Sequence, residues 1–207
     1  MFVPDRYRAP RPDWVMELVR AHPLALLVTS GADGLHATHV PVVVDEEAGE
    51  LVLLGHLNRR NPHCGALPGA GESLLVFSGP NSYVSPSWYA TTHPAAPTWN
   101  FASVHVCGTL RLLDEDATRR VVRVTAQTFE ARFGAGWDAH ASFTYFDQLL
   151  PEVAGFALDV REVRDMFKLS QEKPADVRSV VAAALAAKRG GGPDVAELML
   201  RLDRGTT

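Results

Sequence analysis

Apolar residues recur along this chain at two periods, and the places where one gives way to the other divide it into elements. In DWVMELVRA, Trp14, Leu18 and Ala21 are spaced by four and three, the stripe of a short helix that His22 and Pro23 end. Alternation then takes over. LALLVTS, the turn GADG and HATHVPVVVD predict two strands of a hairpin, and EEAG followed by ELVLLGHL repeats the arrangement. SLLVFSG, NSYVS and SVHVCGTLRLLD add further strands, the last preceded by the proline-broken stretch SPSWYATTHPAAPTWNF. Six such strands within roughly 90 residues, joined by short connections, predict an antiparallel barrel or a strongly curled sheet.

From DEDATRR onward the helical period returns. Val122, Ala126, Phe129 and Phe133 form a stripe behind an acidic first turn, with Gly134 as the stop, and ASFTYFDQLLPEV predicts another short helix. GFALDVREVRDMF alternates again and is expected to close the sheet, and ADVRSVVAAALAAKR is an amphipathic helix. The expected class is α+β, mainly β. A single domain is expected over residues 1–189, with a flexible extension over 190–207 that starts at three glycines and carries a short helix around Leu198 and Leu200.

Composition narrows the function more than the fold. A chain of 207 residues, 46% apolar and 21% charged, supports one core of ordinary globular kind. Its formal charge of −4, from 20 basic and 24 acidic side chains, offers no footprint for duplex nucleic acid or an anionic membrane. Cys64 and Cys107 have no CxxC spacing, and the start MFVPDRYRAP has no charged leader followed by an apolar core; both predict a cytoplasmic protein with reduced thiols. No apolar run approaches the roughly 20 residues of a membrane span.

The candidate chemistry lies where strands end. His56 follows Gly55, whose missing side chain lets a ligand or another backbone come close. His63 follows Asn61-Pro62, and proline suits a first helical turn, so His63 is expected on a short helix beside the strand end. His39, in ATHVP, faces either the interior or a groove. Zinc is disfavoured because neither HExxH nor paired CxxC occurs. Haem asks less of a sequence, since one imidazole holds the iron while an apolar cleft holds the macrocycle. FMN needs a phosphate partner, which Arg59 or Arg60 could supply, and a solvated basic turn is an equal reading of that pair. Trp88, Tyr89 and Trp99, set among prolines, either plug a barrel end or line a pocket for a flat ligand, with Thr98 and Asn100 as polar contacts or as partners of an irregular turn. GxGxxG, GxxxxGKS and GxSxG are absent, so Rossmann, P-loop and hydrolase readings fail.

Taken in order, MFVP, ATHVPVVVD, LLGHLNRRNPH, SYVSPSWY, PTWNFASVHVCGTL and FKLSQ resemble the successive motifs of the PaiB-type family, the FMN-binding negative transcriptional regulators, over about residues 1–186. The resemblance implies the split β-barrel of the pyridoxamine-phosphate-oxidase and flavin-reductase group, with a cofactor at the interface of a homodimer. One branch of that family comprises haem-dependent piperazate synthases, which cyclise N5-hydroxyornithine with formation of a nitrogen–nitrogen bond. NPHC where regulators often read NxQW, GAGWD, and MFKLSQEKP where many read KLSQNR are more similar to that branch. The resemblance then implies haem b, with His63 as axial ligand and His56 as its competitor. It places Lys168 on the opposite face or against a phosphate or carboxylate, and Arg59 on a haem propionate or, with FMN, on the phosphate. His39, Asn61, Trp88, Thr98, Trp99 and Asn100 are expected around the cofactor. Two alternatives stand beside the synthase: an FMN-binding oxidoreductase or cofactor-binding protein, and a PaiB-like regulator. The acidic charge and the lack of a helix-turn-helix argue against the regulator.

Overall fold

The computed structural model describes residues 1–69, 71–89, 94–188 and 190–205. Residues 90–93, within the proline-broken stretch, lie outside the described residues. The strands are β1 (Leu24–Gly31), β2 (Gly34–Val44), β3 (Val52–Asn58), β4 (Glu72–Val84), β5 (Thr98–Leu112) and β6 (Val153–Lys168), and they close in the order β1-β2-β3-β6-β5-β4. The antiparallel barrel expected from the alternation is therefore present. It holds one strand fewer before the closing one than was counted, because SLLVFSG and NSYVS are one strand, β4, running through Gly79 and Pro80. Gly79 is there for packing. A Cβ on it would come within 2.9 Å of Leu18 Cδ1 and 3.0 Å of the Ala102 carbonyl.

The chain divides into two compact units, Met1–Ala21 with Ser78–Val104 and Arg164–Thr207, and His22–Phe77 with His105–Val163. In the first, α1 (Pro12–Ala21) buries Trp14, whose ring meets Phe167 edge-on at 5.4 Å and carries the Arg201 guanidinium 4.4 Å from its centroid. Helices α5 (Ala175–Ala186) and α6 (Gly192–Gly205) pack on each other. The segment after the glycines is thus a helix of 14 residues with Val195, Ala196 and Met199 buried. Arg178 joins the two helices by donating to Asp203 at 2.6 Å and 3.0 Å.

In the second unit, β1 and β2 pair from Leu24↔Pro41 to Gly31↔Gly34, β3 pairs with β2 through Val42↔Gly55, and β6 pairs with β3 through Gly55↔Phe156. Side chains alternate across the strands. Ala25, Leu27, Val40, Val42, Leu53, Phe156 and Leu158 fill one face. Val43, Leu54 and Ala157 fill the other, under Val121 of α3 (Glu115–Phe133). Consecutive buried pairs such as Leu53-Leu54 and Ala157-Leu158 follow from a sheet covered on both faces. Asp114 caps α3 by accepting from the Ala117 N–H at 2.8 Å, which accounts for the acidic entry to the helix.

One surface contact fixes α3 to the β2–β3 turn: Arg120 donates to Asp45 at 2.9 Å and to Glu47 at 2.8 Å. The hydrogen-bonded guanidinium holds the largely buried Asp45 carboxyl below its ordinary range against the opposing effect of desolvation. Asp45 therefore contributes stability above the ordinary aspartate pKa, and that contribution disappears as pH falls through its depressed value. Asp45→Asn is expected to cost about 1 kcal/mol at pH 7 and to flatten the acid limb of a thermal-stability profile. A cost that persists unchanged at pH 2–3 would refute the electrostatic account. Among the described residues, no helix is long and apolar enough to cross a membrane.

Candidate functional site

At the end of β3 the chain turns through Arg59-Arg60 into α2 (Pro62–Ala66). Asn61 caps this single turn, its Oδ1 accepting from the His63 N–H at 3.0 Å, and Pro62 occupies a first-turn position where an amide donor is not needed. His63 is thereby carried on a helix, as Asn61-Pro62 predicts, but it turns inward and is 1% exposed. Its Nε2 lies 2.8 Å from Thr29 Oγ1 and its Nδ1 2.9 Å from Thr38 Oγ1. Thr38 Oγ1 also accepts from Asn61 Nδ2 at 3.2 Å. Burial, then the nearby His36 ring stacked at 5.3 Å, lowers the His63 pKa, so the ring is neutral and one nitrogen donates while the other accepts. Both nitrogens are already used. Coordination by His63 requires one threonine to be released.

His56 is in the opposite condition. It projects from β3 to the face away from the barrel interior, where it is half-buried, and its Nδ1 is enclosed with no hydrogen-bond partner. Burial alone lowers its pKa, which leaves the imidazole neutral with a lone pair available. Gly55 beside it serves the interior rather than a ligand, since a Cβ there would meet the Phe156 ring at 2.4 Å. His56 instead borders a cavity of about 390 Å³ roofed by α3 and α4 (Phe143–Leu149). Its walls are Pro41, Val122, Ala126, Phe129, Phe146 and Leu149, with Leu150 and Val153 beyond. Thr125, 4% exposed, is the second polar group, and its Oγ1 also lacks a partner. Asp147 pins the α4 wall to α3, accepting from Arg119 at 3.2 Å and from Arg123 at 3.0 Å.

Arg59 and Arg60 are both tied to the start of β6. Arg59 donates to the Val153 carbonyl at 2.8 Å and Arg60 to Glu152 at 2.8 Å. The Arg59 guanidinium is exposed and has further N–H donors in its fork. His39 is exposed on β2, on the same strand face as Pro41 of the cavity wall. These positions bring together His56, Arg59 and His39 on the outer side of the sheet and set His63 and Asn61 at its end.

The remaining sequence candidates belong to the other unit and fall into two pairs. Lys168 Nζ donates to Thr98 Oγ1 at 2.5 Å. Asn100 is fully buried and exchanges hydrogen bonds with Ser170 at 2.9 Å and 3.1 Å, with Met199 Sδ at 3.4 Å, which is a structural role beside the left-handed Ser170. Trp99 is 52% exposed and meets Tyr83 edge-on at 6.2 Å, while Trp88 carries Lys188 Nζ 4.8 Å over its ring. Sequence reasoning missed Thr29, Thr38 and Thr125. The signal was present for two of them: Thr29 continues the inward series Ala25, Leu27, and Thr125 lies three positions from Val122 and four from Phe129 on one helical face.

An antiparallel split barrel whose neutral, unpaired imidazole borders an apolar cavity and an exposed arginine is a framework of the cofactor-binding kind. Residues 1–162 match the family model described as "Putative FMN-binding domain", and the chain belongs to that family. It is 24% identical over 202 residues to protease synthase and sporulation protein PAI 2 of Bacillus subtilis, covering 96% of each chain. Among solved structures it is similar to the FAD and haem binding protein of Mycobacterium smegmatis, at a TM-score of 0.56 and 16% identity over 84% of this chain and 78% of that one. It is also similar to HutZ, the haem storage protein of Vibrio cholerae, at 0.50 and 14% over 76% and 96%. At these identities the two structures establish the shared split-barrel fold.

Proposed function

We propose that this protein is a haem-dependent member of its family that catalyses the dehydrative cyclisation of N5-hydroxyornithine to piperazic acid. The observation that carries the cofactor half of the reading is His56, a half-buried imidazole on the outer face of the sheet that burial keeps neutral. That donor fits a haem iron, and apolar surroundings fit its macrocycle. Haem binding by two proteins of the same fold supports the choice. The cyclase half rests on the ordered motifs from MFVP to FKLSQ and on the NPHC variant.

In the reaction the α-amine nitrogen bonds to the hydroxylated nitrogen, the N–O bond breaks, and the hydroxyl leaves as water with a proton from the amine, without net oxidation. Bound haem supplies a Lewis-acidic iron that weakens the N–O bond. The chain's own residues do the rest. His56 holds the cofactor through a ring that burial keeps unprotonated, and the exposed Arg59 pairs with a carboxylate. Lys168, held by Thr98, keeps the role that the sequence resemblance implies, a partner for a carboxylate or phosphate. The working unit is a homodimer, whose interface would cover exposed aromatic surface such as Trp99 and Tyr83.

A flavin is the second reading, favoured by the family description and by an Arg59 fork that suits a phosphate. An absorption spectrum of the purified, haem-reconstituted protein separates the two. A Soret band is expected, and the paired bands of an oxidised flavin would overturn the haem assignment. With haem loaded, N5-hydroxyornithine is expected to give a product with an N–N bond. Unchanged substrate would leave a haem protein and remove the cyclase.

A further inference from the structure

We propose that Asn100 and Ser170 are positioning residues for Lys168: their paired hydrogen bonds hold the left-handed turn that follows β6 and so fix where the Lys168 ammonium stands beside Thr98. Ser170 is the only non-glycine residue with a positive φ among the described residues, at 64°. A serine adopts that conformation at a cost glycine avoids, and such strain persists only where the surroundings over-determine it. Here they do. Ser170 is fully buried, its Oγ accepts from Asn100 Nδ2 at 2.9 Å and donates to Asn100 Oδ1 at 3.1 Å, and Asn100 Nδ2 also reaches Met199 Sδ on α6 at 3.4 Å. Gln171 fastens the chain on both sides of Lys168, accepting from the Leu169 N–H at 2.7 Å and donating to the Phe167 carbonyl at 2.5 Å.

What this scaffold carries is a cation without a counter-ion. Lys168 is half-buried between Phe167 and Leu169, both buried in the core. Its Nζ directs one of its donors to Thr98 Oγ1 at 2.5 Å, and no carboxylate among the described residues pairs with it. Two arginines of the same unit do otherwise: Arg178 pairs with Asp203 and Arg201 with Glu17. A lysine stem is flexible, and an anchoring charge displaced by about 1 Å is costly to a reaction. Thr98 and Asn100 are two apart on β5 and share one of its faces, and Lys168 and Ser170 are two apart along the facing segment, so a shift at the buried pair is carried to the half-buried one. That the anion awaited is the substrate carboxylate rests on the cyclase reading; the positioning does not.

The chain has three lysines, so NMR of the full protein carrying isotope-labelled lysine resolves each of them, with Lys173 and Lys188 as internal references. In the wild type Lys168 is expected to show two distinct Cε protons, the mark of an ordered stem. Asn100→Leu, of similar volume, is expected to average them into one signal and leave the other two lysines unchanged. Adding Ser170→Gly is expected to restore at least about half of the splitting, because glycine adopts the turn without help; a role for Asn100 in packing alone gives no such rescue. In turnover, Asn100→Leu is expected to raise KM for N5-hydroxyornithine about 10-fold with kcat within about 2-fold, and to add nothing in a Lys168→Gln background, since it acts through that lysine. An averaged Lys168 signal in the wild type, an unchanged one in Asn100→Leu, or KM losses that multiply in the double variant would overturn the proposal. The spectra need neither cofactor nor turnover. A Lys168 ordered in the wild type and freed in Asn100→Leu, in a protein that forms no N–N bond, would remove the cyclase and leave the positioning standing.

Discussion

His56→Ala is expected to emerge from purification without its cofactor, with occupancy reduced by more than about 10-fold, the scale on which lesser changes around a metal ligand already act. The protein should remain folded. His56 makes no hydrogen bond through Nδ1, so its removal breaks no pairing there, and a stability change within about 1 kcal/mol is expected. Exogenous imidazole should restore the absorption band, because the cavity beside the deleted ring admits a small heterocycle. Full cofactor occupancy in His56→Ala would show that the ligand lies elsewhere.

His63→Ala is expected to do the reverse. Its ring is 1% exposed and joins Thr29 on β1 to Thr38 on β2, so truncation leaves the Thr29 hydroxyl unsatisfied, Thr38 with Asn61 as its remaining partner, and a void at the end of the sheet. Costs from these two sources sum to about 3 kcal/mol, which for a chain of this size lowers Tm by roughly 6–12 °C. Glutamine keeps one donor and one acceptor, and His63→Gln should recover most of the loss. A glutamine at this position in many relatives of the regulator type, as the sequence resemblance implies, is then a substitution within a structural link. Loss of the cofactor band in His63→Ala with Tm unchanged would assign the axial ligand to His63 instead of His56.

The contrast between these histidines marks the limit of what the chain discloses by itself. Strands were legible because alternation and β-branched residues report a pleated, half-buried surface, and the order of motifs named the barrel. Both histidines were visible as candidates too. Their surroundings were not, because these depend on which strand face each occupies: β3 sends Gly55 inward and His56 outward, while α2 bends His63 back toward threonines that lie 25 and 34 residues away in sequence. The α3 stripe marked the helix, which runs to Phe133 before Gly134, but not its most buried face. Val122, Ala126 and Phe129 line the cavity, Phe133 is 57% exposed, and the face packed inward holds Thr118, Val121 and Thr125. Apolar periodicity finds a helix face that avoids water, but does not tell a packed contact from an open one. Trp88 and Trp99, read as a plug or a pocket wall, stand beside Lys188 and Tyr83 respectively.

Asp147 gives the cavity one more property. Phe146 and Leu149 on its two sides belong to the wall, and the carboxylate that fastens them is shared by two arginines of α3 at a partly exposed position. The pocket's walls cohere by apolar contact, which salt does not weaken, whereas the fastening of its roof is coulombic and screened. Walls and roof are thus held by different forces, and rising ionic strength loosens the Asp147 fastening of α4 to α3 before it touches the apolar walls.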